Sequence, residues 1–399
     1  MRNFGFRKFG DNLLFALGLA VLVAALFYSL SRRDREPAPV NIVFSQWWQE
    51  DLEENTLQNL IAEFESLHQG IRITLNEVSY EDLRSDLFNS AGFDENQAPA
   101  DVLALDPVWI PKLLEKGVIE SPQAPILSFI NVLYYNIEIL AAAGLTRPPR
   151  TRTEFLTTAR AVAANGQAAV LRLGVNSSRS VFDDVYPWIW AAGIPLITNG
   201  NPVVTSAPVV QSLAFLASLN SEGLIAPNAF SADNEKKLES FLSGETAFMI
   251  APTRYIALVR EHMGDDAFSV TSVPALDNQT AQPLFASVEW TLGVHSNSAR
   301  KEEARLFTAF LAGKAPSILY NARGAVPASP VPDPFYAKIW EIALAGEIAR
   351  DFSGIAAEHD LEKIFREELS SLFAEQASPA TAAAAIQQRW QLVLAEQNF

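Results

Sequence analysis

From Val40 to Leu105, short apolar runs alternate with helical periodicity, and that alternation constrains the fold more than any other feature of the chain. Val40–Phe44 reads as a buried strand. Leu57, Leu60, Ile61, Phe64 and Leu67 then fall on one helical face, and Ile71–Leu75 is apolar again. A helix over Tyr80–Ser90, a strand at Val102–Leu105 and a helix from Pro107 to Glu115, with Pro in its first turn, extend the series. Strand and helix in strict turn predict an α/β fold with a largely parallel sheet, because each strand must be returned by a helix that covers the sheet.

The second half keeps this style. Thr153 is placed to cap a helix carrying Phe155, Ala159 and Val162, and Ser206 with Pro208 opens one carrying Leu213, Leu216 and Leu219 before Gly223. Phe241 and Leu242 end another helix at Gly244, which feeds a strand at Ala247–Ile250. Strands at Phe268–Val273 and Trp290–Val294 follow, then a helix over Glu302–Leu311. A closing helix is opened by Ser378 and Pro379, with Ile386, Trp390, Val393 and Leu394 on its apolar stripe. With 399 residues, about twice a usual domain, the chain is expected to form two α/β lobes with a cleft between them.

Ahead of this body lies Leu13–Leu30, 18 residues without a charge, which as a helix would span roughly 27 Å, close to a hydrocarbon core. Arg2, Arg7 and Lys8 precede it, and Arg32, Arg33 and Arg35 follow. The reading is a basic segment over 1–12, a transmembrane anchor over 13–30 and a tether over 31–39, which holds an exported protein at the outer face of the cytoplasmic membrane. The alternative is a signal peptide cleaved after Ser31, with Ser29 and Ser31 as the small residues at -3 and -1, which would release the body.

Composition removes several classes of function. A net charge of -16 repels phosphate backbones, so nucleic acid is not an expected partner. With no cysteine there is no disulfide, no thiolate nucleophile and no Cys-based zinc site. No G-x-S-x-G elbow or phosphate-binding loop occurs, and His68, His262, His295 and His359 have no metal-ligand spacing. The acidic doublets Asp183-Asp184, Asp265-Asp266 and Glu302-Glu303 point apart on a helix. No cofactor, metal or catalytic residue is expected.

Aromatic residues carry more information. Trp47 and Trp48 follow the first strand, Trp109 lies just after the third, Tyr186, Trp188 and Trp190 cluster, and Trp290 begins a late strand. In open α/β sheets ligands bind beyond the carboxyl ends of the strands, where Trp47, Trp48, Asp106 and Trp109 would line a crevice. Flat rings beside a few polar groups suit sugars, whose C–H faces stack while their hydroxyls need paired partners. The competing reading of each ring is core packing, and it is the better one for Trp340 and Trp390.

Taken in order, these segments resemble the bacterial extracellular solute-binding proteins of the maltose-binding type, the substrate receptors of ABC importers. The resemblance covers residues 40–399 and rests on VNIVFSQWW, PADVLALDPVWIPKLLEKGVIE, VLYYNIEILAAAGLTRPPRTRTEFLTTA, YPWIWAAG, FLSGETAFMI, WTLGVHSNSARKEEARLFTAFLAG and RGAVPAS. It implies a two-lobe type II periplasmic-binding-protein-like fold whose chain crosses between lobes three times. Residues 40–127 plus 287–330 would form the first lobe and 128–286 plus 331–399 the second. It also implies a monomer that closes on a small-molecule solute, chiefly a sugar, and delivers it to membrane permease subunits without catalysis.

By the same resemblance Trp47, Trp48 and Asp106 would line the cleft from the first lobe, Tyr186 and Trp190 from the second, and Glu289 with Trp290 near a hinge. Where many sugar binders have an aromatic after the small-residue strand, this chain has Arg254, which is either a forked charge suited to a uronic acid or another anion, or an ordinary surface arginine. The family's lipid-attachment cysteine is absent, which leaves the N-terminal helix as the visible tether. Competing readings are a tethered sensor or scaffold with the same fold, a binder of peptide, polyamine or anion, and an exported hydrolase with two carboxylates across the cleft.

Overall fold

The computed structural model describes residues 38–396 except 49–51, 53–54, 90–99, 121–125, 167, 177–179, 280, 286, 328, 350–351, 353–354 and 356, together with Val21 and Val23. The anchor expected over 13–30 otherwise lies outside the described residues. Among those described, no helix is long and apolar enough to cross a membrane.

Among the described residues twelve strands are formed: β1 Val40–Gln46, β2 Ile71–Glu77, β3 Val102–Leu105, β4 Leu127–Asn136, β5 Ala169–Leu171, β6 Ile197–Thr198, β7 Asn201–Pro202, β8 Thr246–Pro252, β9 Phe268–Thr271, β10 Leu284–Phe285, β11 Ser287–Val294 and β12 Glu347–Ile348. One sheet runs β2-β1-β3-β11-β4-β8-β5, with β9 on β4. β1 pairs parallel with β2 and β3, and β5 with β8, but β11 runs antiparallel to β3 and β4, and β4 runs antiparallel to β8 and β9. The sheet is therefore mixed rather than largely parallel. The two strands that join its halves run against their neighbours, a reversal that strand-helix alternation does not encode.

These joining strands organise the molecule. Leu127–Ile130 of β4 pairs with Ser287–Trp290 of β11, while the rest of β4 pairs with β8 and β9 and the rest of β11 with β3. A third segment comes alongside where Val326 N donates to Ser128 O at 2.8 Å. Each half of the sheet is covered on both faces. On the first, Phe44, Val102, Leu292 and Phe307 pack below and Leu83, Leu105 and Leu113 above. On the second, Phe155, Phe248, Phe365 and Trp390 pack on one face and Tyr134, Met249, Phe268 and Phe335 on the other. The product is a mixed α/β fold of two lobes.

Helix termini differ from expectation in several places: the helix expected to end at Leu311 runs on to Arg323, and Pro107–Trp109 forms a 3-10 turn ahead of the helix Ile110–Glu115. The 152–165 helix is capped by Thr151, whose side chain accepts from Glu154 N at 3.3 Å, and not by Thr153. Thr153 instead takes Asp277 Oδ1 on its backbone N–H at 3.2 Å. Ser378 does cap the closing helix, accepting from Thr381 N at 3.1 Å.

Candidate functional site

The carboxyl ends of β1, β2 and β3 bring Trp47, Tyr80 and Trp109 together. Trp47 lies 5.3 Å from Tyr80 and 5.2 Å from Trp109, and the Tyr80 and Trp109 centroids are 4.8 Å apart. Asp106, one residue beyond β3, is buried and accepts from the Tyr80 hydroxyl at 3.1 Å. Trp47 and Tyr80 stay half-buried, so each keeps a ring edge or face in solvent. Parallel strands deliver this group to one rim of the lobe because they all end on the same side.

A second line of groups follows one face of the joining strands. Trp48 stacks on Trp290 at 4.8 Å with the ring planes 5° apart, and Trp290 meets Phe129 edge-on at 5.2 Å. Two residues further along β4, and therefore on the same face, Asn131 donates its Nδ2 to the backbone O and Oδ1 of Asp183, both at 3.2 Å. The line passes from the first lobe to the second without changing face. Along it, among the described residues, Gln46 Nε2, Trp48 Nε1 and Asn131 Oδ1 are buried with no hydrogen-bond partner, as are Ser180 Oγ and Thr253 Oγ1 on adjoining segments. Buried polar atoms are nearly always paired, so these are groups suited to taking a polar ligand's partners.

Behind Asp183 stands a buried ion pair. Lys237 Nζ donates to Asp184 Oδ1, and the two side chains are 2% and 0% exposed. Asp184 Oδ2 also accepts from Gly174 N at 2.6 Å. Burial holds the Asp184 carboxyl above its usual range, against the pull of the Lys237 ammonium. The pair ties the loop after β5, the 180–184 helix and the 234–242 helix together, and so fixes where Asp183 meets Asn131.

The expected site residues divide into groups. Trp47 and Asp106 reach the rim. Trp48 and Trp290 sit at the joining strands but are fully buried, each covering the other. Tyr186 and Trp190 lie inside the second lobe's core: Tyr186 stacks on Phe352 at 5.3 Å and meets Phe365 at 4.9 Å, and Trp190 packs against Phe182 at 5.1 Å. Arg254 follows β8, half-buried, with its guanidinium 5.2 Å from the Tyr255 ring centre. Glu289 pairs with Ser128 in the joining ribbon, and its side chain is outside the described set. Tyr80, Asn131 and Asp183 were not anticipated as site residues. Asn131 had a signal, as the one polar residue inside the apolar run FINVL.

The opposite face of the same ribbon borders a cavity of about 990 Å³, lined by Ser128 and Ile130 of β4 together with Phe285, Val326 and Ile348. Among the described residues, no group of His, Cys, Asp or Glu side chains converges to hold a metal ion.

Two lobes joined by crossing strands, with polar and aromatic side chains collected where they meet, define a solute-binding protein. The chain belongs to the bacterial extracellular solute-binding protein family, whose model matches residues 50–317. The structure is similar to a cyclic alpha-maltosyl-1,6-maltose binding protein from Arthrobacter globiformis, with TM-score 0.75 and 16% identity over 90% of this chain and 99% of that one. It is also similar to the GacH receptor of Streptomyces glaucescens, with TM-score 0.74 and 17% identity over 90% and 100%. A Brucella abortus protein named only as a binding protein is 22% identical over 271 residues, which are 60% of this chain and 64% of that protein. The chain thus spans just under two thirds of the length of the curated relatives it matches.

Proposed function

We propose that this protein is an extracytoplasmic receptor that closes its two lobes on a carbohydrate and hands it to the permease subunits of an ABC importer. Residues 40–127 with 287–330 form one closing body and 128–286 with 331–399 the other, a division supported by the separate cores. The observation that carries the ligand class is the continuous face from Trp48 through Trp290 and Phe129 to Asn131 and Asp183, with buried polar atoms lacking protein partners along it. Uncharged hydroxyls can satisfy such donors and acceptors, and Trp47 at the rim offers a ring to a C–H face. The solved relatives whose names mention maltose or acarbose support the same class. Asp106 accepts hydrogen bonds from sugar hydroxyls, and Arg254 favours a sugar bearing a carboxylate. The apolar run over 13–30 tethers the receptor to the membrane.

Melting of the purified protein against a panel of neutral oligosaccharides, uronic acids, polyamines and peptides tests the reading. A ligand at 100 times its dissociation constant stabilises the native state by about 2.7 kcal/mol. A shift with sugars alone is expected, and Arg254→Met should weaken uronate binding by about tenfold or more while neutral sugars keep their affinity. A response confined to peptides or polyamines would overturn the assignment.

A further inference from the structure

The cavity of about 990 Å³ on the other face of the joining ribbon is not absorbed by the solute site. Along β4, Phe129 and Asn131 point to the face described above, whereas Ser128 and Ile130 point to the cavity, so the two spaces are separated by the thickness of a strand. Its walls come from both sides of the crossing: Ile126 and Leu127 at one end, and the β10 and β12 pair at the other. The walls approach closely because Gly346 has no side chain; a Cβ there would stand 2.4 Å from the Phe285 ring and from Pro283 O. The lining is mainly aliphatic and aromatic, and Glu347 contributes its one charge among the described residues.

We infer that this cavity is a second ligand site, for a small apolar molecule with one cationic end. The apolar walls supply the affinity by burying hydrocarbon, and the Glu347 carboxylate selects the sign of the head group. A net charge of -16 raises the local concentration of cations and disfavours fatty anions at the same mouth. The volume lies at the upper end of the range for sites that bury drug-sized ligands.

Calorimetric titration of the full-length protein with n-hexylamine, n-heptylamine and n-octylamine tests the site, with n-octanoate and n-octanol as comparators. The expected result is saturable one-site binding that tightens roughly fourfold per added methylene, with octanoate weakest. Glu347→Gln should erase the preference of amine over octanol, and Ala343→Trp, which fills the cavity from the 334–344 helix, should abolish binding. Sugar binding is measured on the same variants and should persist with n-octylamine bound, which separates failure of this site from failure of the solute site. Non-saturable uptake, equal binding of amine and carboxylate, octylamine binding unchanged in Ala343→Trp, or competition between octylamine and the sugar would each overturn the proposal.

Discussion

Trp48 and Trp290 stack 4.8 Å apart and 5° from parallel, and they join the end of β1 to the strand that crosses between lobes. Each ring buries the other, so their first contribution is to stability. Trp48→Ala and Trp290→Ala should each lower the unfolding free energy by about 3 to 5 kcal/mol. The pair should show a coupling of about 0.5 to 1.5 kcal/mol in a double-mutant cycle by denaturant titration. Trp47→Ala, at the half-exposed rim, should weaken sugar binding with a smaller loss of stability. Equal stability losses for Trp47 and Trp48 would place Trp47 in the core as well.

Lys237 offers a sharper electrostatic test. Replacing it by Met leaves the Asp184 carboxylate buried without its cation, a class of change that costs about 3 to 5 kcal/mol. The pH dependence has a definite sign. The Asp184 pKa is raised in the folded protein, so as pH rises past the ordinary 3.8 the unfolded chain releases this proton first, and stability falls until the folded carboxyl also ionises. Without Lys237 the folded value moves higher and the window widens. Melting curves should therefore show the deficit of Lys237→Met smallest near pH 4 and growing toward neutrality. A deficit independent of pH would mean that lost packing, not charge, dominates.

Much of this architecture is legible from local pattern. The opening strand-helix-strand unit, the Ser378 cap and the buried Trp390 all follow from periodicity and turn chemistry, because each depends on residues close in sequence. The direction of β4 and β11 does not, since pairing of Leu127 with Trp290 joins residues far apart in the chain. The site shows the same division. The placement of Trp47 and Asp106 at the rim is legible because strand ends locate them. Tyr186 and Trp190 look like ligand rings in sequence, yet Phe352, Phe365 and Phe182 pack around them, and only the tertiary fold brings those partners together. Asn131 and Asp183 meet across 52 residues by the same tertiary route.

Among the described residues, Glu154 is a half-buried carboxyl with a strongly lowered pKa. Two hydrogen bonds from Arg147, at 2.8 and 2.9 Å, and one from Arg150 N at 2.8 Å hold its pKa down to about 2. Its stabilising contribution is complete above the ordinary value of 4.5 and is lost as pH falls through about 2. Carbon-detected NMR titration should place its midpoint near 2, and Arg147→Ala should return it most of the way toward 4.5. An unmoved midpoint in that variant would assign the shift to the Arg150 backbone N–H instead.

Gly324 opens the third segment that comes alongside the joining strands. Its φ of +90° suits glycine, and a Cβ there would stand 2.0 Å from Thr253 O, a backbone atom with no rotamer to relieve the clash. Two residues later Val326 bonds to Ser128 of β4, so a displaced 324 segment pulls on the joining ribbon. Gly144 is the matched control: its φ is +78°, but nothing lies within 4 Å of the added carbon. Both Gly→Ala variants incur the left-handed strain, and Gly324→Ala alone adds the steric conflict, so its loss should exceed that of Gly144→Ala by more than about 1 kcal/mol in denaturant unfolding. Because the strain enters beside the joining strands, Gly324→Ala should also change sugar affinity, whereas Gly144→Ala should leave it untouched. Equal stability losses and unchanged affinity in both would show that this third segment yields freely and takes no part in fixing how the lobes meet.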